Sequence, residues 1–204
     1  PFIDKGCLID SKVIGVQNSI DQFFYEDNGK KYMFWGSFRG IYATELTDNG
    51  LEIKKKTDGT PVLKKRICGN RFEGTNIYKR GEYYYLFASI GTCCNGATST
   101  YQTVVGRSKN VLGPYLDKTG RDMLYDYCEI IMSGNETWAG PGHNSILVQD
   151  DVGTDWIIYH GYKKKEAENG RYVLMDKLIW SNDGWPSVKS NAPSILEVAP
   201  YFQK

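Results

Sequence analysis

The chain repeats a strand-sized motif. Gly29-Lys-Lys-Tyr-Met-Phe-Trp-Gly-Ser37 aligns without a gap on Gly81-Glu-Tyr-Tyr-Tyr-Leu-Phe-Ala-Ser89, 52 residues later. Gly153-Thr-Asp-Trp-Ile-Ile-Tyr-His160 enters the same frame 72 residues further on. Each glycine follows an apolar run, at residues 20–25, 72–78 and 145–148. The unit therefore reads as strand, glycine turn, aromatic strand, then further strands. Asp27-Asn28-Gly29, Asp48-Asn49-Gly50, Asp58-Gly59, Arg80-Gly81 and Asp183-Gly184 mark turns between such runs. No amphipathic helix pattern competes, so the fold class is all-β. Periods of this size with several strands each predict propeller blades, and a β-sandwich is the competing architecture. Gly113-Pro-Tyr-Leu-Asp-Lys-Thr-Gly120 echoes the opening Pro1-Phe-Ile-Asp-Lys-Gly6. The expectation is that residues 1–204 form a single β-propeller domain, N-terminally incomplete, with about three blades present and the first blades missing.

Composition narrows the function. A formal net charge of +1 gives no footprint for nucleic acid or an anionic membrane. No run approaches the roughly 18 apolar residues of a membrane span. The Lys163-Lys164-Lys165 run is balanced by Glu166 and Glu168 and reads as a solvated loop. Five cysteines without regular spacing and only two histidines argue against a zinc site or a disulfide framework, and adjacent Cys93 and Cys94 are awkward partners for each other. Aromatic residues make up 14% of the chain; most are expected in the core, while Trp35, Phe38, Tyr101 and Trp138 are candidates to stack on a ligand face.

Two acids break the apolar runs at one repeat position. Asp21 lies eight residues before Gly29, and Glu73 eight before Gly81. The third unit has Ser145 there, with His143 two residues earlier on the same expected strand face. An isolated acid of this kind most often caps a turn or pairs with an arginine. Two at matching positions around a pseudo-symmetric axis suit general acid/base work, because burial and a like-charge neighbour each raise a carboxyl pKa. The glycines and proline around His143 suggest close backbone approach to an ion or water cluster on the axis. Asn135-Glu-Thr137 matches a glycosylation sequon and carries little weight.

Taken in order, the motifs resemble glycoside hydrolase family 43 over nearly the whole chain. Asn18-Ser-Ile-Asp-Gln22 is similar to its Ile-Asp-Pro segment, and Trp35-Gly-Ser-Phe-Arg-Gly-Ile-Tyr42 to the Trp-Gly-Ser-Phe-x-Gly-Ile segment of the arabinanase branch. Phe72-Glu-Gly-Thr-Asn-Ile-Tyr-Lys-Arg80 resembles the stretch that bears the catalytic acid. Cys93-Cys94-Asn-Gly, Ser99-Thr-Tyr101, Val105-Gly-Arg-Ser108, Gly113-Pro-Tyr115, Gly140-Pro-Gly-His-Asn-Ser145 and Tyr159-His160 complete the series. The sequence departs from the family at Gln22, where proline is usual, and after Glu73, where Gly-Thr replaces Ala-Pro.

The resemblance implies a five-bladed β-propeller and an inverting glycosidase acting on α-L-arabinofuranosyl linkages. Glu73 would be the general acid and Asp21 the carboxylate that orients it and tunes its pKa. Asn18, Trp35, Ser37, Phe38, Ser99 and Tyr101 would contact substrate. His143 would hold a central calcium or sodium ion. The general base, an Asp of the family's first blade, has no counterpart in this chain, and Asp4 and Asp10 do not match its motif. The implied partner is an oligo- or polysaccharide, and secretion or periplasmic export is expected from that substrate class. A β-xylosidase of the same family and a non-catalytic carbohydrate-binding propeller are the alternative functions.

Overall fold

Asn28 and Gly29 both take positive φ, 50° and 74°. They close a two-residue hairpin loop whose twist matches that of its strands, which is why Asn-Gly stands there. The hairpin joins β1 (Phe23–Asp27) to β2 (Lys30–Trp35), with Asp27 paired to Lys30. The computed structural model describes residues 1–203, and its regular structure is mainly antiparallel strand. β3 (Ile41–Glu45) and β4 (Lys65–Cys68) complete a first sheet in the order β1-β2-β3-β4. The second repeat forms a sheet of β5 (Glu73–Arg80), β6 (Tyr83–Ile90), β7 (Gln102–Ser108) and β8 (Glu129–Met132) in sequence order.

The third sheet is less regular. Its centre, β11 (Asp155–Lys163), pairs with β12 (Arg171–Lys177) on one side, and with both β9 (Trp138–Gly142) and the short β10 (Val148–Gln149) on the other. A hairpin of β13 (Ile179–Trp180) and β14 (Pro186–Ser187) follows.

The aromatic strand of the second repeat explains the packing. β6 is apolar on both faces because both are covered. Leu86 and Ala88 join a core with Phe34, Ile41, Ala43 and Phe72 of the first unit. Tyr85 and Phe87 point the other way, into a core with Ile157 and Tyr159 of the third. The second sheet is thus sandwiched between its neighbours. Phe34, Phe72 and Phe87 are fully buried, each contributing roughly 1.5–3 kcal/mol of transfer free energy.

Several expectations change at the strand ends. Residues 20–22 are not in a strand: Asp21 sits at φ 56°, just ahead of β1. The apolar run of the third unit is interrupted, because β9 ends at Gly142 and His143 takes φ 51°. His143 and Ser145 therefore do not share a strand face. A four-residue helix, Ser11–Ile14, forms where none was expected, capped by Asp10 through Lys12 N–H (2.8 Å) and Val13 N–H (3.0 Å). Cys93 and Cys94 are also bonded to each other as a disulfide, contrary to the expectation from their adjacency. Ser99 Oγ donates to the Thr92 carbonyl at 2.6 Å, and the Thr92 and Thr100 hydroxyls meet at 2.9 Å.

Candidate active site

Glu73 opens β5 and is 7% exposed. Both carboxyl oxygens are occupied: Ser37 Oγ donates to Oε2 at 2.7 Å, and the Tyr101 hydroxyl donates to Oε1. No lysine or arginine pairs with Glu73 among the described residues. The arginine partner that would have made this acid purely structural is therefore missing, and two neutral donors orient it instead.

Ser37 reaches the acid through a self-contacting loop between β2 and β3. At Gly36, φ is 122° and an added Cβ would lie 2.2 Å from the Gly40 carbonyl oxygen, so only glycine allows the loop to close. Asn18 Nδ2 donates to the Ser37 carbonyl at 2.8 Å, and Phe38 N–H to the Phe72 carbonyl at 2.9 Å. Among the described residues, Asn18, Asp21, Phe38 and His143 account for four of the eight non-glycine positions at positive φ. Strained backbone thus gathers where the predicted site residues lie.

Asp21 accepts the Gly74 N–H at 3.3 Å, and its other oxygen is 4.0 Å from His143 Nε2. Burial raises the Asp21 pKa, and the Glu73 charge adds to this; His143 and the Gly74 amide oppose it. Burial and the neighbouring Glu73 also push the Tyr101 phenol far above its ordinary value, so it remains a donor. Ser89, paired with Glu73 across β5 and β6, accepts the His143 N–H at 2.7 Å. Ser89 was not singled out from sequence, yet it occupies the repeat position of Ser37, and the alignment carried that signal.

The aromatic expectations divide. Trp35 and Tyr101 are each 1% exposed and offer no ring face to a ligand. Trp35 packs with Ile14 and Val16 and donates Nε1 to Ser19 Oγ at 3.1 Å. Tyr101 reaches the site by its hydroxyl alone. Phe38 and Trp138 remain half-buried. Ser99 is spent on its own loop carbonyls and on the Tyr101 N–H (3.4 Å), which places it behind Tyr101. Asn135, of the sequon, is engaged too: its amide donates to the Pro193 carbonyl at 2.8 Å.

A cavity of about 360 Å³ opens beside the acid, lined by Asp21, Gly74, Thr75, Asn76, His143 and Asn144 among others. Thr75 Oγ1, Asn76 Oδ1 and Asn144 Oδ1 are buried there without a partner. Unpaired buried oxygens of this kind call for water or a cation. No group of three His, Cys, Asp or Glu side chains converges among the described residues. Neutral amide and hydroxyl oxygens are donors that a hard cation takes, and His143 adds one imidazole beside them.

Beyond Tyr101, His160 stacks on the phenol ring at 5.8 Å and 16°. Burial pushes the His160 pKa down to about 4, helped by Arg171 and His143. In the unfolded chain it titrates near 6.5. Below that value the unfolded state takes up the extra proton, so this contribution to stability is complete above pH 6.5 and is lost as pH falls toward 4. Urea unfolding of wild type and H160F at pH 7 and 4.5 checks this. The wild-type midpoint should fall further than that of H160F, and parallel shifts would refute it.

Residues 1–186 match the profile of glycosyl hydrolases family 43. The chain belongs to that family. Among curated family members, the chain is 36% identical over 197 residues to an extracellular exo-α-(1→5)-L-arabinofuranosidase of Cellvibrio japonicus, covering 91% of this chain and 56% of the relative. It is 35% identical to an extracellular endo-α-(1→5)-L-arabinanase of Bacillus subtilis, covering 90% and 55%. The solved α-L-arabinanase of Cellvibrio cellulosa in complex with arabinohexaose superposes with a TM-score of 0.70 at 34% identity, over 83% of this chain and 56% of that one. A family 43 endo-arabinanase from Bacillus licheniformis gives 0.74 at 32%, over 91% and 62%. The chain thus spans a little over half the length of these relatives. No helix among the described residues is long and apolar enough to cross a membrane.

Proposed function

We propose that this family 43 protein hydrolyses α-1,5-linked L-arabinofuranosyl bonds of arabinan with inversion, and that Glu73 protonates the leaving oxygen. The observation that carries the reading is the buried Glu73 carboxyl, held by two hydroxyl donors with no lysine or arginine paired to it, and followed directly by Gly74 on the wall of a cavity. Asp21 fixes the backbone at Gly74 and adds its charge to the field around the acid. Asn18 and Phe38 steady the loop that carries Ser37, and Phe38 stays near enough to the surface to meet a sugar.

Inversion requires a second carboxylate roughly 6.5–9.5 Å from the first, so that a water fits between it and the sugar. No residue of this chain is assigned that role. Asp4 and Asp10, which do not match the motif of the base, bind the backbone amides of Gly6 (2.8 Å) and of Lys12 (2.8 Å). Three successive sheets within a little over half the relatives' length support a five-bladed propeller of which this chain supplies three blades. His143, with Thr75, Asn76 and Asn144, would hold a calcium or sodium ion, which would supply a fixed positive charge below the sugar. The extracellular relatives support export.

Reducing-sugar release from linear arabinan and from xylan, measured on the full natural protein, tests the reading. Release from arabinan alone is expected. Preference for xylan would shift the assignment to a β-xylosidase, and binding without release would leave a carbohydrate-binding propeller.

A further inference from the structure

The Tyr101 hydroxyl can hold Glu73 only if its ring is fixed. That ring rests on a platform made by two residues paired across β9 and β11, Gly142 and His160. At Gly142 an added Cβ would lie 2.3 and 2.5 Å from Cδ1 and Cε1 of the ring, so the phenol lies directly on the backbone there. At His160 the contact is an offset stack, 5.8 Å between centroids and 16° between planes.

The imidazole is itself oriented. Arg171 Nη1 lies 3.4 Å from His160 Nε2, and a guanidinium only donates. Nε2 therefore accepts, and the ring proton sits on Nδ1, which is buried without a partner. On its other side the imidazole leans on the His143 ring at 6.2 Å and 32°.

We propose that His160 is a positioning residue for Glu73, serving as a flat slab that sets the Tyr101 ring and hence the hydroxyl at Oε1. The inference rests on Glu73 being the proton donor. A proton donor displaced by a fraction of an ångström loses catalytic efficiency while substrate binding is untouched. The loss also depends on the leaving group: a poor one needs the proton in the transition state, whereas a good one departs without it.

The test uses the full natural protein with H160A, H160F and E73Q, on linear arabinan and on a 4-nitrophenyl arabinofuranoside. H160A should lower kcat on arabinan by about 10- to 100-fold, with KM within about twofold and a loss under about threefold on the aryl substrate. H160F keeps the slab and should stay within about threefold of wild type on both. Equal losses of H160A on the two substrates would mean a merely structural role and overturn the proposal, as would an unimpaired H160A beside an inactive E73Q. Should H160A fail to fold, H160L, which has similar volume and no flat face, is expected to show the same substrate-dependent loss. An active E73Q would instead remove the donor assignment on which the inference stands.

Discussion

Replacing Glu73 with glutamine is expected to lower kcat on linear arabinan by about 10³-fold, within the 10²–10⁴ range of a general acid. The substitution preserves shape and removes only the transferable proton. It also places an amide NH₂ where one of two hydroxyl donors now points, at Ser37 Oγ or at the Tyr101 hydroxyl. One of those hydroxyls must turn away, so unfolding stability should fall by about 1 kcal/mol and not more than about 2. The deficit should shrink on an aryl arabinofuranoside, whose leaving group needs little protonation. Steady-state kinetics on both substrates, with a urea midpoint, separate this from a folding defect. An E73Q protein retaining more than about a tenth of wild-type kcat on arabinan would return Glu73 to the class of buried structural acids.

The second large effect needs no functional group to be removed. Gly142→Ala adds one methyl 2.3 Å from Cδ1 and 2.5 Å from Cε1 of Tyr101, and 3.1 Å from Ser89 Oγ. Both neighbours belong to the site: Tyr101 bonds to Glu73, and Ser89 holds the His143 amide. The ring cannot keep its place on a substituted backbone, and the hydroxyl leaves Oε1 with it. Overpacking of this kind costs about 1–3 kcal/mol, and a displacement near 1 Å costs about 10²-fold in rate. G142A should therefore lose both stability and kcat. In a Tyr101→Ala background the stability cost of G142A should largely vanish, because the clashing ring is gone. An undiminished cost in that background would show that the methyl collides with something other than Tyr101.

Much of this was legible in one dimension. The repeat placed β2, β6 and the core of β11, and the alignment put Glu73 and Asp21 at equivalent positions before any contact was known. Short apolar runs and turn chemistry are local properties, and β6, buried on both faces, reads as such a run bounded by the Arg80-Gly81 turn. The glycines at 36 and 142 were visible as letters, but their reasons were not. Each marks an approach between backbone and another group that only the assembled sheets create.

Where local reading failed, a long-range contact had won. Trp35 and Tyr101 were candidates to stack on a sugar, yet Ile14 and Val16 help bury Trp35, and Gly142 and His160 cover the Tyr101 ring. His143 was assigned to a strand face, but its amide is captured by Ser89, 54 residues away, and its backbone turns to left-handed φ.

By itself, the sequence determined an all-β chain of repeated units, the acid here proposed as the proton donor, and the family to which the chain belongs. It could do so because side-chain alternation, turn residues and ordered motifs are written along the chain. Only the tertiary structure decided what surrounds that acid. Ser37 lies 36 residues from Glu73 and Tyr101 lies 28 residues from it, each on a separate element. Their meeting depends on how whole sheets pack, which no local periodicity records.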